Sequence, residues 1–113
     1  MTFANAGHLP PLLVDEAGSH FLDTECGLPL GLSCGDYSQS TVTLSPGSRL
    51  VFYSDGITEA LNANDEEYGV ERLAHHLKHA EASAITILDD VRTFAGGVLP
   101  HDDASVVFVK VTA

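Results

Sequence analysis

Hydrophobic and polar positions alternate along this chain in two rhythms that change at one point, Asp55-Gly56. Before it, residues 2 to 6 and 11 to 14 read as short extended segments. Gly7-His8-Leu9-Pro10-Pro11 joins them, and its two prolines forbid helix. Residues 15 to 39 are rich in Gly, Asp and Ser and predict a loop, with a short strand near His20-Phe21-Leu22. Ser40 to Ser45 is β-prone, Pro46-Gly47-Ser48 is a tight turn, and Arg49 to Ser54 is a second strand, so residues 40 to 54 predict a β-hairpin.

After Asp55-Gly56 the spacing becomes helical. Residues 57 to 61 predict a single helical turn. Val70, Leu73, Ala74, Leu77 and Ala80 form one stripe of a helix over residues 69 to 80, with His75, His76 and His79 off the stripe. Ser83 is a good N-cap for a second helix that turns Ala84, Ile87, Leu88, Val91, Phe94 and Ala95 inward and leaves Asp89 and Asp90 solvated. Gly96-Gly97 ends it. Val106 to Val109 is apolar on successive residues, the pattern of a strand covered on both faces. Two helices can cover one side of a sheet built from these strands, and nothing left in the chain is positioned to cover the other. Each layer must bury its apolar face, so a layer is missing.

Composition narrows the function classes. A chain of 113 residues is one domain or a piece of one, and a hydrophobic fraction of 44% is ordinary for a folded protein. Lys+Arg 5 against Asp+Glu 16 gives a net charge of −11. Such a field repels phosphate backbones and anionic membranes, so nucleic-acid binding and membrane contact are not expected, whereas divalent cations and basic partners suit it. No apolar stretch approaches the length of a membrane span and no basic-then-apolar leader opens the chain, which predicts a cytoplasmic setting. Cys26 and Cys34 lack the Cys-x-x-Cys spacing of a zinc site and read as ordinary thiols.

Charge directs attention to the acids at strand ends. Asp55 follows the strand 49–54, and Asp102 and Asp103 precede the strand 104–111. If these strands are antiparallel neighbours, the three carboxylates converge at one rim, where hard cations such as Mg2+ and Mn2+ choose oxygen ligands. The plainer alternative is a turn at Asp55-Gly56 and a solvated loop at Asp102-Asp103. Imidazole chemistry near neutral pH makes His8 a candidate general acid, but the favoured role of Asn5 and His8 is to hold a turn before the prolines. His75 and His79 lie four apart without the glutamate of a His-Glu-x-x-His motif and read as a solvated face. Residues 62 to 69 imitate a calcium loop, but Glu67 stands where its sixth-position glycine belongs. Glu59 reads as an acid opening a helical turn, placed for the helix dipole.

Five stretches occur in order: FANAGHLPPLL, LPLGL, LSPGSRLVFYSDGITEALN, EEYGVERL and HDDASVVFV. Together they resemble the metal-dependent serine/threonine protein phosphatases of type 2C, in the bacterial branch that regulates sigma factors in stress response and sporulation. The match runs from about Thr2 to Val111. Pro-Gly-Ser replaces the branch's usual Pro-Gly-Asp, a turn change only. The resemblance implies an α+β fold, part of an α/β/β/α sandwich with antiparallel sheets, whose first half is missing here. It implies hydrolysis of phosphoserine or phosphothreonine on a protein with Mn2+ or Mg2+ as cofactor. Asp55 and Asp102 match family metal ligands, and Asp103 is a supplementary candidate. The family's metal-bridging aspartate belongs to the absent half, so the chain reads as the C-terminal portion of the domain. The expected partner is a phosphorylated regulatory protein, an anti-anti-sigma factor, and the isolated chain is expected to be inactive. The alternative is a non-catalytic binding or assembly module with a residual acidic site. An uncovered sheet face predicts self-association.

Overall fold

In chain order the elements are β1 (Thr2–Ala4), β2 (Leu12–Asp15), β3 (Gly18–Phe21), β4 (Gln39–Thr41), β5 (Arg49–Tyr53), α1 (Asp55–Thr58), α2 (Gly69–His76), α3 (Ala84–Ala95) and β6 (Val106–Lys110). They are taken from a computed structural model that describes residues 1–22, 38–100 and 103–112. Cys26, Cys34 and Asp102 lie outside the described residues. The fold is mixed α and β with antiparallel sheets throughout. One sheet has the spatial order β3-β2-β5-β6, and β1 pairs with β4 in a separate ribbon.

Register decides which side chains meet on each face. Leu12, Val51 and Phe108 stand side by side on one face, and Leu13, Leu50 and Val109 on the other. The first face takes the helices. Leu12, Val14, Val51 and Tyr53 pack with Ile57, Leu73, Leu77 and Ile87 in the main core. Removing one such side chain from water is worth about 1.5–3 kcal/mol, so this cluster is the chief stabilising feature. Ser83 caps α3 through a reciprocal box: its hydroxyl accepts from the Thr86 N–H, and the Thr86 hydroxyl accepts from the Ser83 N–H. Gly96, at φ 64, stops the helix as its sequence predicts.

The opposite face is only partly covered. Phe3, Val42 and Leu44, from and beside the β1–β4 ribbon, pack on Leu13, Leu22 and Leu50. Val107 and Val109 on β6 remain 57% and 40% exposed. The strand expected to be covered on both faces is therefore covered on one. The molecule measures 43 × 39 × 18 Å, and its short dimension has room for about two layers at roughly 10 Å each.

Three local expectations are corrected. Residues 40 to 54 do not form a hairpin: β4 pairs with β1, while β5 pairs with β2 and β6. The intervening turn is tied to the end of β6, where the Gly47 N–H donates to the Val111 carbonyl at 2.8 Å and the Val111 N–H to the Ser48 carbonyl at 2.9 Å. The chain thus crosses from one sheet to the other at Pro46-Gly47. The hairpin is instead β2–β3, which pairs the extended segment expected at 11 to 14 with the short strand expected near His20-Phe21-Leu22. The helix expected over 69 to 80 ends at His76 and tightens into turns, and Arg49 donates to the carbonyls of Leu77 at 2.5 Å and His79 at 2.8 Å there. Those carbonyls belong to the turn that follows the helix, where the Lys78 and His79 N–H groups donate to the carbonyls of His75 and His76, and Ala80 faces solvent. Glu59 closes α1 rather than opening it: its N–H donates to the Asp55 carbonyl at 2.8 Å, and the acid in the first turn is Asp55.

Candidate metal centre

Antiparallel pairing of β5 with β6 brings the end of one strand against the approach to the other. Tyr53 lies opposite Val106 in the ladder. One step further, the Ser54 N–H donates to the Ser105 carbonyl at 3.0 Å, and the Ser105 N–H donates to the Ser54 Oγ at 2.9 Å. The Ser54 hydroxyl also reaches the Asp103 carbonyl at 3.4 Å. Gly56 completes the approach. A Cβ built on it would stand 2.1 Å from the Asp103 carbonyl oxygen and 2.6 Å from its carbon, so only glycine admits this contact.

Asp55 and Asp103 are therefore brought to one rim by backbone contacts. Both residues are exposed. Behind them Tyr53 is 3% exposed and donates its hydroxyl to the Pro10 carbonyl at 3.0 Å. Its pKa is raised, first by burial and then by the nearby Asp55 charge, so it stays a neutral donor at physiological pH.

Exposed carboxylate oxygens are the donor chemistry that hard divalent cations prefer. Among the described residues, however, no group of three or more His, Cys, Asp or Glu could hold a metal ion. Asp102, the residue beside Asp103, lies outside the described residues. The described chain thus offers carboxylates of the right kind in adjoining segments, and a full coordination shell would need further donors.

The other candidates have structural work. The Asn5 amide brackets His8, accepting from its N–H at 2.7 Å and donating to its carbonyl at 2.8 Å, and His8 Nδ1 lies 2.8 Å from the Leu9 carbonyl. This is the turn role. His75 and His79 are exposed, with ring centroids 6.3 Å apart. In residues 62 to 69, Asn62 Oδ1 accepts from the N–H groups of Asn64 and Glu66, which makes this a side-chain-organised turn.

One cluster escapes the sequence pattern. Asp90, expected to be solvated, accepts from the hydroxyl of Tyr68, which is only 1% exposed. His76, off the apolar stripe of its helix, places Nε2 3.0 Å from Thr86 Oγ1 and Nδ1 3.8 Å from Asp90. The Tyr68 pKa is raised, mainly by burial and then by Asp90. The available signal was Tyr68 itself, a large apolar body whose one polar atom needs a partner when buried.

Comparison with known proteins follows the same outline. Protein IcfG of Synechocystis is 26% identical over 113 residues, covering 99% of this chain and 17% of the relative. Phosphoserine phosphatase RsbU of Bacillus subtilis is 31% identical over 115 residues, covering 96% of this chain and 34% of the relative. The chain thus spans about a third or less of the curated relatives it matches. Among solved structures, the PP2C phosphatase domain of B. subtilis SpoIIE with a fragment of its regulatory domain superposes with a TM-score of 0.77 at 21% identity, covering 98% of this chain and 34% of that one. The RsbU and RsbW domains of a Mycobacterium tuberculosis protein give 0.73 at 25% identity, with 99% and 32% covered. The described residues contain no helix long and apolar enough to cross a membrane. The family described as Stage II sporulation protein E (SpoIIE) matches residues 1–112, nearly the whole chain, and the chain belongs to it.

Proposed function

We propose that these residues form the second half of a type 2C phosphatase domain that hydrolyses phosphoserine or phosphothreonine on a regulatory protein of a sigma-factor pathway in the cytoplasm. Asp55 and Asp102 are its metal ligands in this chain, with Asp103 beside them. The observation that carries the reading is the β5–β6 pairing, which sets Ser54-Asp55-Gly56 against Asp103-Ala104-Ser105. Membership of the SpoIIE family supports it, as does the likeness to RsbU, a phosphoserine phosphatase.

Mn2+ or Mg2+ suits these donors, and one SpoIIE phosphatase domain was studied Mn presoaked. Bound there, such a cation supplies positive charge to phosphoryl oxygens and acidifies a bound water. The chain's own part is to fix carboxylates at a strand rim and to keep the Tyr53 hydroxyl donating to the Pro10 carbonyl. A phosphorylated protein is an anion approaching a chain of net charge −11, so carboxylates alone would repel it. The local sign must be inverted, and a divalent cation does that.

A second reading concerns the chain by itself: a binding or assembly module with a residual acidic site. It is favoured by the lack of a three-ligand group among the described residues. Hard cations take six or more oxygens, so a pair of carboxylates holds them weakly, at about millimolar Kd or above.

The test is Mn2+-dependent release of phosphate from a phosphoserine peptide by the full-length protein that carries these residues. Asp55→Asn is expected to abolish it, and full activity in that variant would overturn the assignment. The isolated 113 residues are expected to show no appreciable turnover. Robust hydrolysis by them alone would sink the two-halves reading.

A further inference from the structure

Next to the proposed metal ligands, and sharing Gly56 and Asp103 with them, lies an open cavity of about 490 Å3. It sits between α1, the C-terminal half of α3 and the residues that follow that helix. Its walls are apolar, with Leu61, Leu88, Val91, Ala95 and Leu99 foremost. Val91 is 8% exposed and belongs to the main core, so this wall is fixed before anything binds. Leu99, at 83% exposure, stands open to solvent.

Glu59 and Arg92 also line this cavity, and Arg92 is its one basic residue among those described. Its pair with Asp89, 3.5 Å away, is made by side chains 78% and 64% exposed, and such a pair is screened and easily exchanged. Arg49 and Arg72, by contrast, are engaged with backbone carbonyls.

We propose that this groove holds an extended apolar stretch of the phosphoprotein immediately beside its phosphorylated residue. The inference rests on the phosphatase reading, since it takes the rim at Asp55 and Asp103 as the place of the phosphoryl group. Two observations commit it to that occupant. The groove is continuous with the rim, because Gly56 and Asp103 belong to both, so a chain bound with its phosphate at one has the other directly beside it. The net charge of these residues, −11, offers an anionic partner no long-range attraction to them, so on this chain local contacts supply the affinity. Arg92 offsets Glu59 at the lip and faces the anionic chain, and the apolar wall supplies desolvation.

The experiment compares two synthetic phosphoserine peptides of equal length and charge with the full-length protein and Mn2+. One peptide carries Leu and Val beside the phosphoserine, the other Ser and Gly. Burying one added leucine is worth about tenfold or more, so kcat/KM should favour the apolar peptide about tenfold. Leu99→Ser should reduce that ratio to about twofold, and Arg92→Glu should weaken both peptides several-fold with the ratio kept. Lys78→Glu, on the turn beyond α2, should leave the ratio at about tenfold. Both Leu99 and Arg92 are exposed, so neither substitution threatens folding. Equal kcat/KM for the two peptides, or a ratio unmoved by Leu99→Ser, overturns the proposal. Equality is also the result expected if another part of the same polypeptide fills the groove. Fluorescence anisotropy of the labelled peptides in EDTA measures the preference without turnover. A protein that hydrolyses neither peptide therefore fails the phosphatase reading and still reports on the groove.

Discussion

Gly56→Ala is the sharpest perturbation that the structure offers. The added methyl carbon would stand 2.1 Å from the Asp103 carbonyl oxygen, 2.6 Å from the carbonyl carbon and 3.0 Å from Ala104 Cα. All three are backbone atoms, so no side chain can rotate aside. Relief requires the Asp103–Ser105 segment to move away from the end of β5 by more than about 1 Å to reach ordinary van der Waals contact. Overpacking of this kind costs typically 1–3 kcal/mol, and a contact this short belongs at about 3 kcal/mol, unless the strand ends separate. Separation would break the Ser54–Ser105 hydrogen bonds at 3.0 and 2.9 Å. Urea denaturation gives the stability change, and amide hydrogen exchange at Ser54 and Ser105 shows whether the ends part. Gly97→Ala is the control. Nothing lies within 4 Å of the place its methyl carbon would take, and the substitution is expected to change stability by less than about 1 kcal/mol. If Gly56→Ala matches the parent in urea midpoint and in exchange at both serines, Gly56 does not pack against the Asp103 backbone.

Three further outcomes are expected. Ser83→Ala removes one arm of the capping box of α3 and should cost about 1 kcal/mol, read as a lower thermal midpoint. Tyr68 is held in its neutral form in the fold, so its contribution is complete below the ordinary tyrosine pKa of 10.0. As the pH rises past that value the unfolded chain ionises first, and stability should fall until the folded-state tyrosine also ionises. Tyr68→Phe should flatten that alkaline slope, and an unchanged slope in urea titrations at about pH 9 to 11 would refute the assignment. Val107→Lys should reduce association of the isolated chain in light scattering, because Val107 is 57% exposed on a sheet-edge strand. A parent chain already monomeric at high concentration would contradict this.

Much of this arrangement is written locally. The stripes Val70-Leu73-Leu77 and Ile87-Val91 sit on helices because their period is helical, and Ser83 and Gly96 bound α3 as their chemistry predicts. The apolar run ending in Asp55-Gly56 reads as a strand delivering a carboxylate, and the position of Gly56 against Asp103 gives that glycine its reason. What eluded the sequence was non-local. The β-prone residues around Ser40 could pair with any neighbour, and turn chemistry at Pro46-Gly47 suggested the nearest one. The actual partner, β1, is separated by nearly forty residues, as the Thr2–Thr41 register records. Asp90 eluded it for a similar reason: helical spacing puts it off the core stripe, and only the packing of α2 on α3 reveals the buried phenol beside it.

The ladder between β5 and β6 has a consequence for how this molecule assembles. It closes a stretch of chain that contains all three helices, with the Ser54–Ser105 contact spanning a separation of 51 residues. Closing a loop on that scale carries an entropic cost, and the acidic rim lies at the end of the ladder that encloses the least chain, since Arg49–Lys110 and Gly47–Val111 enclose more. An ion bridging the two sides of the rim would act as a staple across that loop. Under mass action, occupancy would then raise the melting temperature.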